Sequence, residues 1–396
     1  MQNTAAQHPR GIFGDRILNS LVMGHFIVDF LNGQRSLVLA MLSIMLGLTN
    51  YGLGIMTTVY VVSSAAAQPL FGYVSDRYGA RWVAAGGVIW MGVFYSLALF
   101  FPGWPAVGLL MLASIASGAF HPAGAMEASL SGHERMNGRE ATSTSLFFLF
   151  GQMGFGIGPM LGGPLLSVFG LPGLLLFTVF TFPIGYFNAR ELKYLNRPRI
   201  EKHKVDEPAE KFIFTRSLLL MTGVAAFQSW TQSSITAYMP RYLADLQISP
   251  SIYGVIIGLF TAGSAIGCMV GGDLADKIGK NKVISGSLLL AAIPLGLIAL
   301  TGYTSWLYIL MFLAGGLTGG AYSVIVVQAQ KVIPGGKGLA SGLALCFIFS
   351  SGAIGTMFTG LMADHWGYQA VFILTTVLAM AGGLLGLQLS REKITA

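Results

Sequence analysis

Charge is scarce in this chain. Of its 396 residues only 10% are Asp, Glu, Lys or Arg, against about 25% in an ordinary soluble domain. A soluble protein of this length could not cover its surface with so few charges. That deficit argues against a soluble enzyme, a nucleic-acid reader and a disordered chain. Cysteine is almost absent too. Cys268 and Cys346 lie in separate apolar runs and offer no disulfide framework. There is no Gly-x-x-x-x-Gly-Lys-Ser/Thr loop for a nucleotide. The six histidines are scattered without metal-ligand spacing. No metal and no cofactor is expected, and any work must be driven by an ion gradient. The polar segment 1–16 has no apolar stretch ahead of a cleavage site, so the first apolar run is expected to remain as a helix.

What the chain has is apolar length. Hydrophobic residues make up 54% of it and its mean hydropathy is +0.68. A bilayer core takes about 20 apolar residues per helix. Twelve such runs are read near 17–44, 52–74, 81–101, 106–130, 140–167, 171–189, 217–240, 252–275, 283–301, 306–330, 338–362 and 367–389. Turn signals such as Pro102-Gly103-Trp104-Pro105 and Gly170-Leu171-Pro172-Gly173 separate them. The net charge of +7 is a matter of placement. Of 23 Lys and Arg, 21 fall in the termini and in alternate connections; Arg35 and Arg241 are the exceptions. By the positive-inside tendency, both termini are expected in the cytoplasm of a multi-pass protein of the cell (inner or plasma) membrane.

The longest polar stretch, 190–216, falls between runs six and seven. It divides the chain into a six-helix bundle at 1–189, a cytoplasmic linker at 190–216 and a second bundle at 217–396. The halves repeat. Gly72-x-x-x-Asp76-Arg77-x-Gly79-x-Arg81 recurs as Gly272-x-x-x-Asp276-Lys277-x-Gly279 at an offset of 200. Gly118-Ala-Phe120-His121 recurs as Gly320-Ala-Tyr322-Ser323. Internal repeats in a membrane protein point to a transporter with its site between the bundles.

These residues resemble the major facilitator superfamily. The 72–81 loop is similar to its signature. Gly154-Phe-Gly156-Ile-Gly158-Pro159-Met-Leu-Gly162-Gly163-Pro164 resembles the fifth-helix motif of drug–proton antiporters. His25-Phe-Ile-Val-Asp29 and Phe120-His121-Pro122 resemble the fosmidomycin-resistance branch of efflux carriers, with Ala123 where an acidic residue is expected. The resemblance implies an all-α fold of twelve transmembrane helices in two pseudo-symmetric bundles. It also implies that Asp76 engages the start of span eleven, around Gly338 to Ser341, and holds the outward-facing state. Gly72, Gly79, Arg77, Arg81, Gly272, Asp276 and Lys277 join it as gating residues, Gly72 and Gly79 by permitting a tight turn. Glu127 reads either as a proton site or, preferably, as a partner of Arg77 or Arg81. Gly154, Gly158, Pro159, Gly162 and Gly163 are expected to form a close, bent seam between the bundles.

Polar residues in mid-span carry the functional reading. His25, Asp29, Asn32 and Ser36 step by four, three and four, so they share one helical face. Asp29 is the acidic residue placed nearest the midplane, where an ionised carboxylate is costly. With His25 one turn away it is the candidate proton-coupling group. Arg35 is either an anion-binding charge or a partner for Asp29, the latter if Gly33 unwinds the helix locally. Asn32, Arg35, His121, Gln152, Gln228, Trp230, Gln232 and Gln328 are the candidate substrate contacts. Ser229 and Gln232 fall opposite Asp29 and Asn32 in the repeat. The function expected is secondary transport by alternating access: proton-coupled efflux of a small amphipathic or anionic compound by a monomer, with protons and the bilayer as the other partners. Uptake symport is the alternative, and an intramembrane enzyme or a receptor fits less well.

Overall fold

The structure is a computed structural model, described over residues 14–136, 140–194, 216–332 and 337–389. The side chains of 76, 140–142, 145, 217–218, 276, 323, 326–332 and 337–345 fall outside that description. Most of the linker expected at 190–216 does too. The helices are α1 (Arg16–Met45), α2 (Asn50–Tyr78), α3 (Ala80–Phe100), α4 (Trp104–Arg135) and α5 (Glu140–Phe169). Then come α6 (Leu171–Glu191), which opens as a 3-10 turn, α7 (Arg216–Asp245), α8 (Pro250–Ile278), α9 (Lys280–Thr301) and α10 (Leu307–Val332). The last stretch, Lys337–Leu389, is two helices, α11 and α12, divided at Gly367 with φ 77° and ψ 178°.

Among the described residues nine helical stretches are long and apolar enough to cross a bilayer. One of them, Cys346–Leu389, holds both α11 and α12. The remaining two spans are α10, apolar over Leu307–Tyr322, and α7, which does not reach the same apolarity. Gln228, Ser229, Thr231, Gln232, Ser233, Ser234 and Thr236 in the middle of α7 account for its polarity.

Local signals place the helix ends. Asp15 caps α1 by accepting from the Leu18 N–H at 2.8 Å, and its carboxylate pairs with Arg135 of α4 at 2.6 Å. The repeated loop turns at Gly79 (φ 89°) and Gly279 (φ 100°), where a side chain would be strained. The turn is shorter than the sequence motif implies. α2 stays helical to Tyr78, so Gly72 lies inside it rather than in the turn, facing the Pro122 side chain.

In the first half α1 packs on α5 and α4, and α3 lies between α4 and α6. In the second, α8 packs on α10, and α7 on α11–α12. Two pairings make the most extensive contacts between the halves, α5 with α8 and α2 with α11, and α1 and α2 also touch α7. The glycines of α5 divide between these tasks. Gly154 and Gly158 face backbone carbonyls of Phe26 and Phe30 on α1, and Gly162 faces Gln34. Those three therefore pack within the first half, whereas the expected seam between halves is made by Gly156 and Gly163 against α8, with the Pro159 carbonyl facing Gly254. The spacing explains this: positions 154, 158 and 162 step by four and stay on one face.

A side chain at Gly158 would collide with the Phe30 carbonyl, a backbone group that cannot rotate away. Gly158→Val is expected to lower stability by about 1–3 kcal/mol, read as a lower thermal midpoint in detergent. Gly86, with open space around it, is the control, and Gly86→Ala should leave the midpoint unchanged or raise it.

Candidate functional site

Near the middle of α1 the carboxylate of Asp29 lies between two imidazoles. His25 Nε2 is 3.1 Å from Oδ2 and His121 Nε2, from α4, is 3.2 Å from Oδ1. The sequence placed His25 and Asp29 one turn apart; the structure adds His121, assigned above to substrate, to the same carboxylate. His25 is 2% exposed, Asp29 15% and His121 24%. The site thus has a sealed side at His25 and an accessible one at His121.

Both rings are held in the same sense. His25 Nδ1 lies 2.7 Å from the carbonyl of Phe147 on α5, and His121 Nδ1 lies 2.7 Å from that of Ser117. A carbonyl oxygen only accepts, so each Nδ1 donates. Each Nε2 is then the position at which a proton is gained or lost, and both face Asp29. His25 also stacks on Phe147, with ring centroids 4.0 Å apart. Gly151 of α5 leaves room for the ring; a side chain there would overlap it.

Asn32 ties the carboxylate to its neighbours. Its Nδ2 donates to Asp29 Oδ1 (3.1 Å) and to Ser117 Oγ (2.9 Å), and its Oδ1 accepts from the Tyr60 hydroxyl (2.9 Å). Sequence reading missed Tyr60, Ser117 and the Phe147 carbonyl. Tyr60 and Ser117 carry no signal beyond being polar atoms in apolar runs, and a backbone carbonyl carries none.

Arg35 does not pair with Asp29. α1 is helical through Gly33, so the local unwinding that would join them is absent. Gly33 is instead where the Phe155 carbonyl of α5 approaches. The Arg35 guanidinium sits over Tyr60, 5.0 Å from the ring centre, and 6.0 Å from that of Phe155. Among the described residues no carboxylate lies within salt-bridge distance of it. The donor atoms of His25, Asp29 and His121 lie within 4.8 Å of one another, a composition that can hold a metal.

In the second half the counterpart of Asn32 repeats its role without charge. Gln232 Nε2 donates to Ser264 Oγ of α8 (3.0 Å) and Thr318 Oγ1 of α10 (3.3 Å). Gln228 Nε2 donates to the Thr318 carbonyl at 3.2 Å and Ser229 to that of Ile348 at 2.6 Å. Trp230 Nε1 donates to Thr359 Oγ1 at 2.7 Å. These three candidate substrate contacts, Gln228, Trp230 and Gln232, are thus engaged between helices. Gln152 is half-buried on α5, and Glu127 is 3% exposed on α4. Arg77 donates to the Tyr73 hydroxyl and Arg81 to the Ala189 carbonyl, each at 2.7 Å. Lys277 pairs with Asp273. Asp76, Asp276, Gln328 and the Gly338–Ser341 stretch expected to receive Asp76 lie outside the described side chains.

A polytopic helical protein with an ionisable cluster at mid-helix and a repeated architecture is a membrane carrier. The Major Facilitator Superfamily model matches residues 22–246 and again 218–394, and the chain belongs to that superfamily. The chain is similar to the fosmidomycin resistance protein of Escherichia coli (strain K12), 28% identical over 380 residues, covering 93% of this chain and 91% of the relative. It is also similar to the multi-drug resistance efflux pump PmrA of Streptococcus pneumoniae serotype 4, 24% identical with 82% of each covered. Among solved structures, a peptide transporter, POT, superposes with TM-score 0.74 at 16% identity, covering 98% of this chain and 96% of the other. The protein is therefore a multi-pass secondary transporter of a small molecule, not an enzyme.

Asn32→Ala would leave the Tyr60 hydroxyl and Ser117 Oγ short of a partner. It is expected to cost about 1–3 kcal/mol, seen as a lower thermal midpoint, whereas Gln152→Ala, on the neighbouring helix, should cost less than half of that.

Proposed function

We propose that the protein is a proton-coupled efflux carrier and that Asp29, with His25 and His121, is its coupling site. The observation that carries this reading is the Asp29 carboxylate set between two imidazole Nε2 atoms at 3.1 and 3.2 Å. An N···O contact of this kind is a hydrogen bond only when a proton occupies it. Gain or loss of the proton at His121 Nε2 therefore makes or breaks the Asp29–His121 tie between α1 and α4. Arg35, with no carboxylate in salt-bridge distance among the described residues, supplies a positive charge for a small amphipathic or anionic substrate, and entry of such a substrate would compete with protons for the same electrostatic field. The resistance and efflux names of the relatives support the outward direction. The placement of 21 Lys and Arg supports cytoplasmic termini in the inner membrane. A bundle at 1–189, a linker at 190–216, a bundle at 217–396 and an Asp76 gate complete the proposal, with the monomer as the working unit.

Fosmidomycin is the first substrate to test. Expression of the chain in an efflux-deficient host should raise tolerance to it, and Asp29→Asn should return tolerance to that of cells lacking the chain. In proteoliposomes the same variant should lose fosmidomycin transport driven by a pH gradient while retaining counterflow exchange. Uphill transport by Asp29→Asn with the parent's pH response would make Asp29 structural.

Topology is tested separately. Cysteines at Gly103 or Thr304 should react with an impermeant thiol reagent in intact cells, and one at Lys204 should not. Labelling of Lys204 from outside would overturn the orientation.

A further inference from the structure

Among the described residues, a dense set of hydrogen bonds between the halves lies at the end of the molecule away from the Lys- and Arg-rich connections. Asn50, the first residue of α2, is held there from three helices of the other half. Its N–H donates to Asp364 Oδ1 at 2.8 Å, and the Tyr51 N–H donates to Asp364 Oδ2 at 2.8 Å. The Asn50 carbonyl accepts from the Tyr238 hydroxyl of α7 at 3.1 Å. Its side-chain Oδ1 accepts from the Tyr368 hydroxyl of α12 at 2.9 Å. The single proton of that hydroxyl is shared with Asp245 Oδ2, and Asp245 pairs with Arg241 at 3.0 Å. Arg241 in turn donates to Ser43 Oγ of α1 at 2.6 Å. Arg241 is one of the two basic residues outside the charge pattern, and this contact across the halves gives it a use. Gly54 and Gly360 let α2 and α11 approach here; a Cβ at Gly54 would lie 2.9 Å from the Met357 Cα.

The first N–H groups of any helix have no partner within it. Those of α2 are satisfied by a carboxylate from the opposite half. Asp364 is exposed, so water can replace both sides of the contact when the halves part. A contact of that kind biases an equilibrium without freezing it. The geometry points to a latch: Asp364, seated on the N-terminus of α2, holds this end closed, and its release accompanies opening of the site toward this side. The inference rests on the alternating-access reading above. It adds a gating residue at the end opposite Asp76.

The test uses the full-length protein in liposomes, with one spin-label pair at Trp104 and Trp306 and a second at His133 and Lys282. Asp364→Asn should lengthen the Trp104–Trp306 distance distribution, raising the open-to-closed ratio about fivefold, and shorten the His133–Lys282 distances. Asn50→Pro is the second variant. Proline is tolerated at the first helical position, and Thr49 before it is already extended (φ −68°, ψ 171°). It removes one of the two N–H donors to Asp364, together with the side-chain acceptor of Tyr368, leaves Asp364 itself intact, and should shift both pairs in the same direction. If Asp364→Asn fails to accumulate, Asn50→Pro decides alone. Unchanged Trp104–Trp306 distances in a folded Asn50→Pro protein overturn the latch. If neither label pair shows a second population in the parent protein with a pH gradient or with fosmidomycin, the alternating-access reading fails first.

Discussion

A carboxylate at the centre of a membrane helix has to be neutralised or partnered, and much of the first half of this protein follows from that constraint. Asp29 is partnered from its own helix by His25 and Asn32, and from α4 by His121. Each partner needs an anchor of its own. The carbonyls of Phe147 and Ser117 orient the rings, and Ser117 and Tyr60 hold Asn32. A ring as large as His25 fits beneath α5 because position 151 is glycine, and α5 lies close to α1 because positions 154 and 158 are glycine as well. Close backbone approach in lipid is the usual use of small residues. Here it also serves to seal one side of a charged site.

The two halves share a scaffold and differ in charge. Asn32 and Gln232, related by the offset of 200, both tie their helix to hydroxyl-bearing neighbours. Ser229 stands where Asp29 would be, and Tyr322-Ser323 where Phe120-His121 would be. The second half thus keeps the hydrogen-bonded frame and drops the ionisable groups. The buried His–Asp–His cluster lies on α1 and α4, while the neutral amides and Trp230 of α7 brace α7 against α8, α10 and α11. Under the proposed coupling, one proton site in the first half serves both sides of the membrane.

Periodicity made part of this legible. Four polar residues stepping by four, three and four in an apolar run identify a face, and that face is the one that meets α4. Spacing within one helix says nothing of which other helix answers it, so His121 reads as a lone histidine until α4 is set against α1. The same limit hides Tyr60 and Ser117. Hydropathy counts spans well where side chains face lipid, and undercounts α7, whose polar groups are spent on its neighbours. Glycine spacing announces close packing, yet both faces of α5 carry glycines, and only the fold sorts 154 and 158 toward α1 from 156 and 163 toward α8. Arg35 was undecided for a geometric reason. Six residues along an unbroken helix turn it well away from Asp29, and only the continuity of α1 through Gly33 removes the alternative.

The pairing of α2 with α11 gives the fold a reason to move as rigid halves. Asp364 follows most of α11 in the chain and Asn50 starts α2, so the carboxylate of one helix end meets the open N–H groups of the other. The resemblance of the 72–81 motif implies the converse contact: an Asp near the end of α2 that would engage the start of α11. Helices are stiff along their axes, and a pair clasped at one end splays at the other when the halves rock about the α5–α8 glycine contact. Two such clasps on one helix pair are mutually exclusive for a rigid rocking motion. With the proposed latch and the Asp76 gate, each state would carry its own capping carboxylate, at an aqueous end where release costs little. The deep ionic contacts of Asp29, by contrast, lie where partners are scarce and a change of protonation is costly to leave uncompensated. Under the proposed function, that difference in depth separates the two tasks: the ends would decide which side is closed, and the centre when the closure is favoured.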